Sequence, residues 1–342
     1  MNVRVFLVAI FWANQALTQG FSGLGTEAEG FAVPDPDYRI SFPQDHGPHP
    51  DFRIEWWYMT ATLQGAVGRD YGVQWTLFRS AMAPGDVEGW QSPQVWMGHA
   101  AVTSADQHRF AERLARGGIG QAGVVSEPFQ AFIDDWRMAG IEEMQLIARG
   151  DDFAYDLSLS AQGPLVLQGV EGFSVKSPDG QASHYFSLPF YEVTGTLSLP
   201  EGVVEVTGDG WLDREWSSQP LSEDQEGWDW FSLQFDNGAR LMGFELRGSE
   251  TDFTAATWID ADGIATPFED GDIRATPLQT TAFEGREIPT TWRVELPGRN
   301  VDVTVEALNP RAWMGVSFPY WEGPVTVSGS HSGRGYLEMT GY

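Results

Sequence analysis

The sequence predicts an all-β fold made of two β units in tandem. Three observations carry this. Short apolar runs succeed one another between Gly, Pro, Asp and Asn, and no long stretch has helical period, which is the pattern of a sandwich or barrel. An internal echo follows: Glu55-Trp56-Trp57-Tyr58, a hairpin and Thr76-Leu77-Phe78-Arg79 resemble Trp228-Asp229-Trp230-Phe231, a hairpin and Phe244-Glu245-Leu246-Arg247. The length of 342 residues suits about two domains.

Residues 1–25 read as an export signal. Arg4 supplies the positive start, and the apolar run from Val5 to Ala13 is too short to span a bilayer. Gln15 to Gly25 is small and polar, as a cleavage region is, so a periplasmic or secreted location is expected. Residues 26–50, rich in Pro, Asp and His, form an extended lead-in.

The first β unit is placed at 51–220. It opens with a strand over Trp56–Leu63, a glycine-bearing turn, and a return strand over Tyr71–Arg79. Gln94–Thr103 is the next strand, and Phe110–Arg116 reads as a short helix or an irregular crossing. Further strands are expected at Gln130–Met138, Glu143–Ala148, Phe153–Leu159, Leu165–Gln168, His184–Tyr191, Val193–Leu199 and Val203–Leu212. Ser217–Gly227 is the linker candidate, and the second unit is placed at 221–342, with its hairpin turning at Asp236-Asn237-Gly238. A closed barrel of about eight strands removes its own edges and has room for one apolar ligand.

Composition excludes several functions. The net charge is −28 and Lys176 is the single lysine among 20 cationic side chains, so no nucleic-acid partner is expected. The absence of cysteine rules out disulfides, thiolate catalysis and cysteine zinc sites. Gly118-Ile119-Gly120-Gln121-Ala122-Gly123 matches a dinucleotide fingerprint in letters only, because it does not join a strand to a helix. Neither G-x-S-x-G nor H-E-x-x-H occurs. No cofactor or metal is predicted.

Three constellations remain. His46 and His49 lie in a Pro-rich loop with Asp45 and Asp51, close to Glu55. They suit a backbone-capping loop or the wall of a site, with divalent-metal ligation a lesser alternative. The aromatics Trp57, Tyr58, Trp75, Trp228 and Trp230 suit either core packing or the lining of a lumen that holds a long apolar ligand. On a strand Trp56 and Tyr58 share one face and Glu55 and Trp57 the other. Asp213, Arg214, Glu215 and Trp216, with Asp229, embed charge among indoles. A carboxyl in apolar surroundings stays protonated near neutrality and can act as an acid, whereas beside Arg214 it becomes an anchor.

The spans FPQDHGPHPDFRIEWWYMT, MGHAAVT…RFAERLARGGIGQAG and WLDREWSSQP…GWDWFSLQFDNGARLMGFELR resemble the AttH-like family, related to carotenoid 1,2-hydratase. The resemblance runs from Ser41 to the C-terminus. It implies two tandem lipocalin-like antiparallel β-barrels, an exported protein, and an apolar or isoprenoid-like small-molecule ligand, with a membrane transport complex as a possible partner. It implies either a binding or accessory role or, alternatively, a hydro-lyase that adds water to an isoprenoid alkene. In those terms Asp213, Glu215, Trp216 and Asp229 are the candidate catalytic residues. His46, His49, Glu55, Trp57, Tyr58, Trp75, His99, Arg214, Trp228 and Trp230 are the candidate ligand-binding ones. The hydratase branch carries Asp-His-x-Trp where this chain has Asp213-Arg214-Glu215-Trp216, so Asp213 and Trp216 match and the histidine does not.

Overall fold

The computed structural model describes residues 28–219, 224–249 and 251–342. The export signal expected at 1–25, the start of the lead-in and part of the linker lie outside the described residues. The described chain is a tandem of two lipocalin-like antiparallel barrels. Its helical turns are three-residue 3-10 segments at Gln44–His46, Gly89–Gln91 and Pro297–Arg299.

The first sheet has 13 strands. They are β1 (Ile54–Gly65), β2 (Asp70–Ala81), β3 (Gln94–Ser104), β4 (His108–Arg116), β5 (Ala122–Ser126), β6 (Phe129–Ile133) and β7 (Trp136–Ala139), then β8 (Glu143–Arg149), β9 (Ala154–Ala161), β10 (Val166–Leu167), β11 (Phe173–Val175), β12 (Ala182–Leu199) and β13 (Gly202–Ser217). The spatial order is β4-β3-β2-β1-β13-β12-β9-β8-β7-β6-β5, with β10 and β11 beside β12. The sheet curls until β6 packs against β2, β3 and β4. Gly98 permits that approach, since a Cβ there would lie 2.7 Å from Ile133 Cγ2.

The second sheet has 10 strands. They are β14 (Gln225–Phe235), β15 (Arg240–Gly248), β16 (Phe253–Ile259), β17 (Ala265–Phe268), β18 (Arg274–Phe283), β19 (Arg286–Leu296), β20 (Val301–Ala307), β21 (Trp313–Met314), β22 (Tyr320–Gly329) and β23 (Gly333–Met339). Their order is β17-β16-β15-β14-β23-β22-β20-β19-β18, with β21 on β22. The echoed hairpins β1–β2 and β14–β15 occupy equivalent places: each first strand pairs with the last strand of its own sheet, β1 with β13 and β14 with β23.

Several elements differ from the sequence reading: Ser217 and Gln225–Gly227 of the expected linker belong to β13 and β14, and β5 and β11 were not among the expected strands. Residues 108–116 form strand β4, neither helix nor irregular crossing; pairing with β3 overrides the helix-forming Ala111-Glu112-Arg113-Leu114-Ala115-Arg116. The two strands expected over 184–199 are one 18-residue strand, β12. Its register shifts between Leu188 and Tyr191, where Pro189 cannot donate to the ladder. The strand expected over 130–138 breaks into β6 and β7 at Asp134, whose φ is 51°.

Each barrel has its own core. Trp57, Met59, Leu63, Trp75, Leu77, Trp136 and Trp216 fill the first, and Phe231, Leu233, Trp292, Trp313, Trp321 and Leu337 fill the second. A third apolar cluster joins them: Tyr58, Tyr185 and Trp211 from the first barrel with Trp230, Phe244, Leu246 and Tyr336 from the second. The barrels therefore pack through the outer faces of β1, β13, β14 and β23. Those strands are buried on both sides, which is why β1 is buried without a break from Trp57 to Leu63, Thr60 and Thr62 included.

Candidate functional site between the barrels

The period of two along a strand divides the acids and indoles. On β13, Trp211, Asp213 and Glu215 point toward the second barrel, while Leu212, Arg214 and Trp216 point into the first. On β1, Trp56 and Tyr58 share the outward face and Trp57 packs inward. On β14, Trp228 and Trp230 face the first barrel, and Phe231 packs inward. The register aligns them: Trp56 lies opposite Glu215, Tyr58 opposite Asp213, and Trp230 opposite Glu338.

Between these faces lies a partly open cavity. Its apolar wall includes Trp56, Phe78, Trp228, Trp230, Phe244 and Leu246, and its polar wall includes Tyr58, Lys176, Tyr185, Asp213, Glu215 and Glu338. The aromatic lining expected in a barrel lumen is therefore found between the barrels. Trp57, Trp75 and Trp216 fill the first barrel's interior, leaving no exposed indole there.

Asp213 is buried and accepts hydrogen bonds from Trp211 Nε1 at 2.7 Å, Tyr185 Oη at 2.8 Å, and Ser187 Oγ. Tyr185 Oη in turn accepts from Trp230 Nε1 of the second barrel at 3.2 Å. Burial pushes the Asp213 carboxyl up to about 7, with the Glu215 carboxylate adding to the rise against the three donors. Burial and its charged neighbours Asp213 and Glu215 bring Glu338 to about 7 as well, although Trp228 Nε1 donates to it at 2.6 Å. Lys176 Nζ lies 2.9 Å from Glu215 Oε1 and 4.1 Å from the centre of the Phe244 ring. The cavity thus presents carboxyls that titrate near neutrality, one buried ion pair, and several aromatic faces.

A second polar cluster sits at the mouth of the first barrel. Glu55, fully buried, accepts from Arg79 and Arg214. Burial works to raise Glu55, but Arg79 and Arg214, with His49, hold it well below the usual carboxylate range. His49 stacks on Trp216 with ring centres 3.9 Å apart and bridges Asp45 and Glu55. His46 is buried in the 3-10 turn, and its carbonyl accepts from Trp57 Nε1 at 2.9 Å. Arg214 Nη2 donates to the Gly47 carbonyl, and Arg79 Nη2 to those of His49 and Phe52. The network therefore straps the lead-in across the barrel opening. Glu55 and Arg79 also reach the cavity edge.

The second barrel has a smaller counterpart. Asp229, directed inward, takes Arg247 Nε at 3.0 Å and Tyr342 Oη at 3.0 Å. Burial brings Asp229 to about 6, opposed by Arg247.

The candidate residues named from sequence thus fall into separate places. Asp213, Glu215, Tyr58, Trp228 and Trp230 meet in the cavity, with Glu55 at its edge. Trp216, Arg214, His46 and His49 belong to the strap, Trp57 and Trp75 to the first core, and Asp229 to the second barrel's interior. His99 is buried between the barrels, 3.0 Å from Tyr320 Oη. Sequence reasoning missed Lys176, Tyr185, Phe244 and Glu338. A single lysine in an arginine-rich chain was a usable signal for the first, and the echoed hairpin for Phe244; Tyr185 and Glu338 stand on strands remote in sequence, with no local motif.

Fold and site together define a tandem lipocalin-like protein whose cavity lies between its barrels. The chain belongs to the AttH-like family, whose pattern matches residues 33–342. It is similar to the crystal structure of a protein assigned as an AttH from Nitrosomonas europaea, with a TM-score of 0.81 and 32% identity over 91% of this chain and 99% of that one. Kievitone hydratase from Nectria haematococca gives a TM-score of 0.67 at 14% identity, covering 93% of this chain and 98% of its own. CghA with Sch210972 gives 0.57 at 12% identity, covering 92% and 97%. At those identities the two share the fold. No curated protein matches the sequence.

Proposed function

We propose that the protein binds a lipophilic small molecule in the inter-barrel cavity and adds water to an alkene within it. The supporting observation is Asp213, a carboxyl that keeps its proton to about pH 7 while facing an aromatic wall. With the Tyr185 hydroxyl turned from Asp213 toward the cavity, the proton of neutral Asp213 passes from Oδ2 to Tyr185 Oη as the Tyr185 proton passes to an alkene carbon. The π electrons form the new C–H bond and leave a cation on the more substituted carbon. The faces of Trp56, Trp228 and Trp230 stabilise that cation. A water oxygen then bonds to it, and the water's excess proton goes to Glu338. Trp211 and Ser187 hold Asp213 in place, and the surrounding apolar wall excludes bulk water.

A second reading has one observation in its favour. Arg214, at the histidine position of the hydratase pattern, is turned away from the cavity and paired with Glu55. Binding without turnover, as an exported carrier serving a membrane transport complex, is the role that fits this departure.

Titration with farnesol tests the shared step. Quenching of the cavity indoles is expected, with affinity about tenfold weaker in Phe244→Glu, because a charge would face an apolar wall. Unquenched fluorescence, or equal affinity in the variant, would contradict binding in this cavity.

A further inference from the structure

The cavity's polar wall does not stop at Glu338. Tyr58 Oη donates to Glu322 Oε1 at 2.5 Å and is also hydrogen-bonded with Glu338. Glu322 also accepts from Tyr320. Tyr320 Oη lies 3.0 Å from His99 Nδ1, and His99 Nε2 lies 3.3 Å from Glu112 Oε1. Glu322, Tyr320 and His99 are at most 1% exposed, whereas the Glu112 side chain is 21% exposed and accepts from Ser317. The chain crosses from β23 to β1, β22, β3 and β4, and so along the seam between the barrels.

We propose that Tyr58, Glu322, Tyr320, His99 and Glu112 form a proton path that connects Glu338 in the cavity with solvent outside the first barrel. Every member can both give and take a proton, and each lies within hydrogen-bonding reach of the next. A buried carboxyl in a purely structural interface would be replaceable by an apolar group, and burying it costs energy. Glu322 lies between two tyrosines, and burial with the nearby Glu338 charge holds it well above the usual carboxylate range. The path rests on the proposed hydration in one respect. There the proton leaves from the Asp213 side and is returned at Glu338, so both ends must re-equilibrate with solvent while a ligand fills the mouth. An excess proton on Glu338 moves to Tyr58 as the Tyr58 proton moves to Glu322. The same exchange follows through Tyr320 into His99 Nδ1 as the Nε2 proton leaves for Glu112, which releases one to solvent; rotation of the hydroxyls and exchange of the His99 tautomer then reset the path.

Hydrogen–deuterium exchange of the protonated Glu322 carboxyl, read by its infrared C=O band and assigned by subtraction of Glu322→Gln, tests this without any substrate. Tyr58→Phe cuts the cavity end, and the band should still exchange through His99. Adding Tyr320→Phe cuts both ends and should slow exchange roughly tenfold or more, leaving only local opening. His99→Phe in the Tyr58→Phe background should do the same, and serves if the tyrosine pair fails to fold. Exchange equally fast in the single and double variants would overturn the path, as would the absence of a protonated Glu322 band. Since the readout is proton movement, a protein that hydrates no alkene can pass this test, and one that does can fail it.

Discussion

Trp230 of the second barrel donates to Tyr185 Oη of the first at 3.2 Å, and Tyr185 carries the connection 2.8 Å further to Asp213. The acid is therefore oriented by a residue on the opposite side of the inter-barrel boundary. Removing Tyr185 Oη should affect chemistry and barrel docking together. Tyr185→Phe is expected to lower alkene turnover about a hundredfold, in the range of a lost proton-transfer group, and to cost about 1 kcal/mol for a buried hydrogen bond. Single-turnover kinetics and urea unfolding check the two effects.

Asp213 also makes a prediction about pH. Its folded-state value of about 7 lies above that of an unfolded aspartate, so between about pH 4 and 7 the folded chain holds a proton that the unfolded chain has released. Stability contributed by the neutral form is present at low pH and lost as pH rises toward 7. Asp213→Asn, which mimics the neutral carboxyl, should gain on the natural protein over that window, by about 2 °C or more in Tm. Thermal melts of both proteins from pH 4.5 to 7.5, about the range of that window, check the sign. A constant offset would exclude a raised Asp213.

The strap over the first barrel depends on Glu55. It is the carboxylate that both Arg79 and Arg214 engage, and all three are at most 1% exposed. Glu55→Gln leaves two buried guanidinium groups without their anion and should cost about 3 kcal/mol or more. Arg214→His should destabilise similarly. It should not create a cavity histidine, because position 214 points into the barrel. Denaturant unfolding measures both costs, and a farnesol affinity in Arg214→His within about twofold of the natural protein supports the assigned orientation, since that is well under the 1.4 kcal/mol of a tenfold change.

Much of the fold was legible in the residues. Paired aromatic hairpins and Gly-rich turns marked strands, and the echo between Trp57 and Trp230 marked equivalent strands of two barrels. The site was legible only in part. Asp213 and Glu215 stood out as acids among indoles, but their partners Tyr185, Trp230 and Glu338 come from strands that meet only when two curled sheets pack. Asp229 looked equivalent to them, yet a one-residue step on β14 turns it into the second barrel. Trp216 misled for the same reason: it faces His49, away from the cavity acids. Facing is decided by register and by which side of a strand the other barrel covers, and neither is written in a local motif.

The cavity's ion pair should set its shape. Lys176 Nζ binds Glu215 at 2.9 Å beneath the Phe244 ring. Lys176→Met keeps the length of the side chain but strands a buried carboxylate, so a loss of about 2 kcal/mol is expected. Lys176→Met/Glu215→Gln should recover most of it. A double-mutant cycle in urea unfolding reads the coupling.

Mass spectrometry of farnesol incubated with the protein in oxygen-labelled water tests the central claim most directly. The account predicts a product heavier than farnesol by one labelled water, formed by the natural protein and reduced at least about a hundredfold in Asp213→Asn. No labelled product, or equal product from the two proteins, would contradict a catalytic Asp213 in the inter-barrel cavity.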